Sequence, residues 1–99
     1  MDITYQLQGM EFEWDENKAA ANIQKHGVTF EEAAEVFLDP FFQTGDASAD
    51  GKEERDFIIG YTFSQRLLLA VYTARATRTR IISARPATRA ERKVYEEAD

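Results

Sequence analysis

Apolar and polar positions alternate in Phe12-Glu13-Trp14, and the wider segment 3–14 mixes β-branched with aromatic residues, which predicts a strand whose last part is the best defined. Asp15 then stands where an N-cap belongs. Ala19, Ile23 and His26 recur at helical spacing before Gly27, so a first helix is expected over about residues 16–26. Thr29 and Glu32 have the spacing of a capping box, and Phe30, Ala33, Ala34, Phe37 and Leu38 follow at i, i+3, i+4, i+7 and i+8, a complete apolar face ended by Asp39-Pro40. Residues 45–54, rich in Gly, Ala, Ser and acidic side chains, read as a surface loop. Three strand-like runs follow at 56–63, 67–75 and 79–85, with connections short enough for an antiparallel meander. Thr88 and Glu91 form a second capping-box pair, opening a third helix to about Glu97 with Ala90, Val94 and Tyr95 on or near one side.

The order β, α, α, β-rich, α predicts an α+β fold in which helices cover one face of an antiparallel sheet and leave the other at least partly open. Ninety-nine residues with no internal repeat suit one domain. The open face is where a site is expected.

Composition removes several classes of function. The longest apolar run, residues 67–72, is far too short to span a bilayer, and the first nine residues lack the basic and apolar build of a secretory signal, so a cytoplasmic protein is expected. There is no cysteine and one histidine, which argues against a disulfide framework, a thiolate site or a His-built zinc site; no cofactor is expected. The net charge of −6 hides an asymmetry. Residues 1–65 hold fourteen acidic against four basic side chains, a net −10; residues 66–93 hold eight basic against one acidic, a net +7; the last six residues return −3. An arginine-rich block therefore sits inside an acidic protein.

Three stretches together resemble the BrnT family of bacterial toxins: Phe12-Glu13-Trp14-Asp15 with Lys18, Asn22 and Lys25-His26-Gly27; Phe30 with Ala33, Phe37 and Asp39-Pro40; and Arg80-Ile81-Ile82-Ser83-Ala84-Arg85 with Ala87, Glu91 and Tyr95. Glu54-Arg55 before Ile58, Ile59 and Gly60 is similar to the family's passage from acidic loop to strand. The likeness covers about residues 10–97; members typically begin near Met10, so residues 1–9 are either an upstream start or an extra edge strand. The resemblance implies a RelE-like fold, an RNA-cleaving activity that halts translation and growth, and neutralisation by a BrnA-like antitoxin. That antitoxin would carry a ribbon-helix-helix region, so promoter DNA would be met only through the complex.

RNA can be cleaved without a metal because its own 2'-OH attacks the adjacent phosphate, leaving the protein to bind the backbone, assist proton transfer and stabilise the developing charge. Arginine suits the last task, since its planar fork donates two parallel hydrogen bonds to phosphate oxygens. Arg66 and Arg85 are the first candidates, expected to lie close together across the sheet, although any one arginine can equally be a solvated partner of the acidic excess. Lys25, Arg75, Arg80, Arg89 and Arg92 are candidate RNA contacts, with Arg92 also able to bridge Glu96. His26 fits proton transfer near neutral pH, and equally a capping or packing role at the helix end. Glu53 and Glu54 are rival proton acceptors in an acidic loop. Tyr95 suits stacking on a base, or holding the third helix to the sheet. The competing function is a non-catalytic module that docks an acidic protein or nucleic acid through its arginines.

Overall fold

The computed structural model describes residues 1–48 and 54–98. The segment read as one strand is a hairpin: β1 (Asp2–Leu7) pairs antiparallel with β2 (Met10–Asp15), across a turn in which Gln8 and Gly9 both have positive φ, 49° and 85°. Such a turn twists in the same sense as the strands it joins. β1 is thus an edge strand, one of the two readings of the N-terminal residues.

α1 (Glu16–His26) begins where Asp15 accepts the Lys18 N–H at 2.9 Å and ends on Gly27, whose φ of 68° costs a residue without Cβ little. α2 (Phe30–Glu35) runs into a 3-10 turn over Val36–Leu38. Thr29 caps it by accepting the Glu32 N–H, but the Glu32 carboxylate turns instead to Arg66, so half of the expected box forms. β3 (Gln43–Asp46) takes up the start of the segment expected to be loop, and residues 49–53 of that segment lie outside the described residues. The expected meander follows as β4 (Asp56–Tyr61), β5 (Leu67–Arg75) and β6 (Arg78–Pro86). α3 (Arg89–Glu97) carries the full Thr88/Glu91 capping box.

Among the described residues, six strands form one sheet in the order β1-β2-β6-β5-β4-β3. Every neighbouring pair is antiparallel except β2 and β6, which run parallel with Glu13 opposite Arg80. The expected antiparallel sheet is therefore mixed. Helices α1 and α2 carry the chain away from β2, and the strands that follow return β6 beside it in the same direction, the long crossover that a parallel pair requires.

Alternation along β4 and β5 sends Ile58, Leu68 and Ala70 to one face and Ile59, Leu67 and Leu69 to the other. The first face packs with Phe12, Trp14 and Ile81 against Phe30, Ala33 and Ala34, with Trp14 and Phe30 edge to face at 5.8 Å. The smaller second cluster takes in Tyr61 and Tyr95, edge to face at 5.3 Å, and so draws α3 onto the face opposite α1 and α2. The expectation that all helices share one face is corrected by this crossing. α3 buries none of its own residues completely, and a cleft remains beside it.

Asn22, 6% exposed, decides how α1 faces the sheet. Its Nδ2 donates to the carbonyls of Val28 and Ala84 at 3.0 and 2.8 Å, and its Oδ1 accepts the Ala84 N–H at 3.1 Å. The inward row is consequently Ala19, Asn22 and His26, while Ile23, expected to point inward, is 47% exposed. This clamp fixes β6 at Ala84, one residue before Arg85.

Candidate nucleic-acid interface

Arg85 lies opposite Leu69 in the β5–β6 register, and therefore on the face that carries α3. Its Nη1 and Nη2 donate to Oε1 and Oε2 of Glu91 at 2.7 and 2.8 Å, a two-pronged pair that joins β6 to the first turn of α3. The Arg85 guanidinium, together with the Thr88 N–H, holds the Glu91 carboxyl down at about 2, against an ordinary value of 4.5. Glu91 in turn raises Arg85. Glu91 is thus ionised throughout the neutral range and a poor proton acceptor; its use here is to aim the arginine.

The pair stands at the wall of a cleft of about 340 Å³ between α3 and the sheet. Phe57, Ile59, Leu69 and Val71 form its apolar floor, and Val94 of α3, 55% exposed, lies across from them. Phe57 owes its position to its cross-strand partner: a Cβ on Gly45 would collide with Cε2 and Cζ of the Phe57 ring. Arg55, two residues before Phe57 in extended chain, shares this face, and its Nε is buried without a hydrogen-bond partner. A donor left so costs on the order of 1–3 kcal/mol. By charge count Arg55 is one of the four basic residues of the acidic segment, apart from the arginine-rich block downstream.

Arg66 and Arg85 are not brought together. Arg66 precedes β5 and its Nη1 reaches the Glu32 carboxylate at 2.9 Å and the Gly27 carbonyl at 3.4 Å, on the side of α1 and α2. Strand alternation separates it from Arg85 by the thickness of the sheet. His26 is half-buried at the end of α1, one residue before the Gly27 carbonyl that Arg66 reaches, and both lie on the side of the sheet away from the cleft. Glu54 accepts from the Thr73 hydroxyl through its carbonyl, and Thr73 is four residues, about 13 Å of strand, beyond Leu69 and the level of Arg85. Glu53 lies outside the described residues.

The basic block is likewise divided. Arg80 donates to Asp2 at 3.1 and 3.2 Å and to Glu13 at 2.8 Å, and these carboxylates push it well above the usual arginine value. Arg78 faces Glu11 and Glu13 at 3.6 and 3.7 Å, and Arg75 is at the exposed end of the same hairpin. Arg89 and Arg92 are exposed on α3, with Arg92 donating to the Tyr61 hydroxyl at 3.2 Å rather than to Glu96. Lys25 is exposed on α1, on the other side of the sheet.

Tyr95 holds α3 in place, donating to Asp39 Oδ2 at 2.6 Å. Burial alone would raise the Asp39 carboxyl, yet the Tyr95 hydroxyl and the N–H groups of Tyr61 and Phe41 keep it below the ordinary range. Burial and the bond to Asp39 raise the Tyr95 phenol, so this hydroxyl stays protonated.

Residues 14–91 match the model of a protein family described as ribonuclease toxin, BrnT, of type II toxin-antitoxin systems. A 1.1 Å crystal structure of the Brucella abortus ribonuclease toxin, BrnT, is similar with a TM-score of 0.62 and 28% sequence identity, over 77% of this chain and 94% of that one. No curated protein sequence matches.

Proposed function

Because the chain belongs to the BrnT family of ribonuclease toxins of type II toxin-antitoxin systems, we propose that it is an endoribonuclease of RelE-like fold that cuts RNA without a metal ion. In the cytoplasm it would inhibit translation and growth until a BrnA-like antitoxin, bearing a ribbon-helix-helix region, neutralises it. Promoter DNA is met only through that complex. The observation that carries the site is Arg85, held by two prongs of Glu91 at the wall of an apolar cleft.

In this reading the RNA 2'-OH attacks its neighbouring phosphate, and Arg85 binds the non-bridging oxygens as negative charge gathers on them. Among the described residues the one carboxylate that meets Arg85 is Glu91, and no histidine does, so its contribution is electrostatic and positional. Arg89 and Arg92, on the helix that walls the cleft, take flanking phosphates. We assign Arg66 and His26 to structure: a cation closing the free carbonyl end of α1. Metal independence rests on the RNA's own 2'-OH as nucleophile and on arginine, rather than an ion, to neutralise the phosphate.

The test is purified protein with RNA in excess EDTA. Cleavage at low protein concentration, with many turnovers, is expected; intact RNA, or cutting that needs a divalent ion, refutes the mechanism. Protection of RNA at equimolar protein without cutting would make the chain a binding module. Expression should arrest growth, and co-expression of the adjacent reading frame should relieve it.

A further inference from the structure

Resting on that reading of the Arg85 face, we infer that the cleft beside α3 is a subsite for one unpaired nucleobase, and that Phe57 is its stacking platform. The substrate is accordingly single-stranded RNA, and duplex RNA is excluded.

A flat aromatic ring at the foot of an apolar cleft with cations on either side is what an unstacked base and its phosphates require. Phe57 is half-buried and lines the cleft, and Gly45 beneath it leaves the ring room to lie over β3. Val71 and Leu69 continue the floor towards Arg85, whose pairing with Glu91 fixes the direction of its remaining N–H groups. On the far side stands Arg55. Four residues along the strand and two strands across put the Cα atoms of Arg55 and Arg85 about 16 Å apart, with Phe57 between their levels. Arg85, at the wall of the cleft, is the cation placed to hold a phosphate of a base seated on Phe57. Paired bases are stacked inside a helix and cannot enter a cleft walled by α3; an unpaired strand can turn one base inward.

The experiment measures binding and cutting separately, with the full chain. The binding probe is a fluorescein-labelled RNA strand of about twelve nucleotides, within the usual span of single-strand sites, made uncleavable by 2'-O-methyl groups and presented alone or annealed to its complement. The single strand is expected to bind at least tenfold tighter than the duplex. Phe57→Leu keeps the apolar volume but removes the ring face and should weaken single-strand binding about tenfold, the size of one base stack. Gly45→Ala, which displaces the ring, should act likewise, and Phe57→Tyr should restore binding. Equal affinity for strand and duplex overturns the inference, as does a Phe57→Leu protein that folds and binds like the parent, or one that weakens only for the antitoxin. Tight, Phe57-dependent binding with no cutting of an unmodified strand would instead refute the ribonuclease reading and leave the subsite standing.

Discussion

Replacing Arg85 with Gln removes a charge that has a structural use, its pairing with Glu91, and a proposed catalytic one, and the two differ in expected size. The stability part comes from Glu91. Its carboxyl is held at about 2 rather than 4.5 by Arg85 together with Thr88, a gap that at about 1.4 kcal/mol per pH unit would amount to roughly 3.5 kcal/mol. The two side chains are 36% and 22% exposed, however, so water screens the pair and about 1–2 kcal/mol is the expected loss. For a chain of this size that lowers Tm by about 4–8 °C per kcal/mol. The catalytic part is larger: deleting a charge aimed at the developing phosphate oxyanion should slow cleavage by about 10²–10³-fold. Glu91→Gln separates the two effects, since it breaks the ion pair but leaves the guanidinium at the cleft. Urea melts and cleavage rates of both variants in EDTA provide the assay. Both should lose comparable stability, while Glu91→Gln keeps cleavage within about tenfold of the parent. If the two variants lose activity in step, Arg85 is a strut for α3 and not a ligand for phosphate; if Arg85→Gln cuts normally, the site is elsewhere.

The same pair sets an acid limit. Because the folded-state carboxyl of Glu91 is depressed, its contribution is present above about pH 4.5 and is lost as pH falls towards about 2; melts across that window should flatten in Glu91→Gln. Asn22→Ala strands the Ala84 N–H and two buried carbonyls, and a loss of about 3 kcal/mol or more, read by denaturation at pH 7, is expected. Tyr95→Phe deletes a charge-assisted hydrogen bond to Asp39 and should cost about 1.5–3 kcal/mol, with faster amide exchange confined to α3. Arg66→Gln and His26→Ala should each leave the cleavage rate within about threefold; a hundredfold loss in either would move the site to the end of α1.

Local chemistry made much of this fold legible before any coordinates. Asp15 and Gly27 bracket α1 because capping depends on a few neighbouring atoms, and the Thr88/Glu91 box opens α3 for the same reason. What the chain does over long range was hidden. The parallel pairing of β2 with β6 depends on how two helices cross the sheet, and no residue in either strand encodes it. The register places Arg66 and Arg85 on opposite faces although one lies just before β5 and the other near the end of β6; strand ends look adjacent in sequence patterns, whereas side-chain direction depends on an exact residue count. Hydrophobic spacing alone favours Ile23 on the inner face of α1, whereas Asn22 takes that place because its three hydrogen bonds make burial favourable.

The distribution of charge also changes meaning once the partners are known. The block with net +7 is not a basic surface, because Asp2, Glu11 and Glu13 of the N-terminal hairpin neutralise Arg78 and Arg80 at one end of β6. Glu32 meets Arg66, and Glu91 meets Arg85. The acidic half of the chain thus answers much of the basic half within the fold, and a protein with net charge −6 need not repel RNA everywhere. What remains on the α3 side is local: Arg89, Arg92 and Lys93 on the helix, and the outer N–H groups of Arg85 at the cleft. A toxin built this way gains little from diffuse attraction to the RNA backbone. Its hold on substrate would then come from a few placed contacts, the proposed Phe57 platform and the aimed Arg85 foremost.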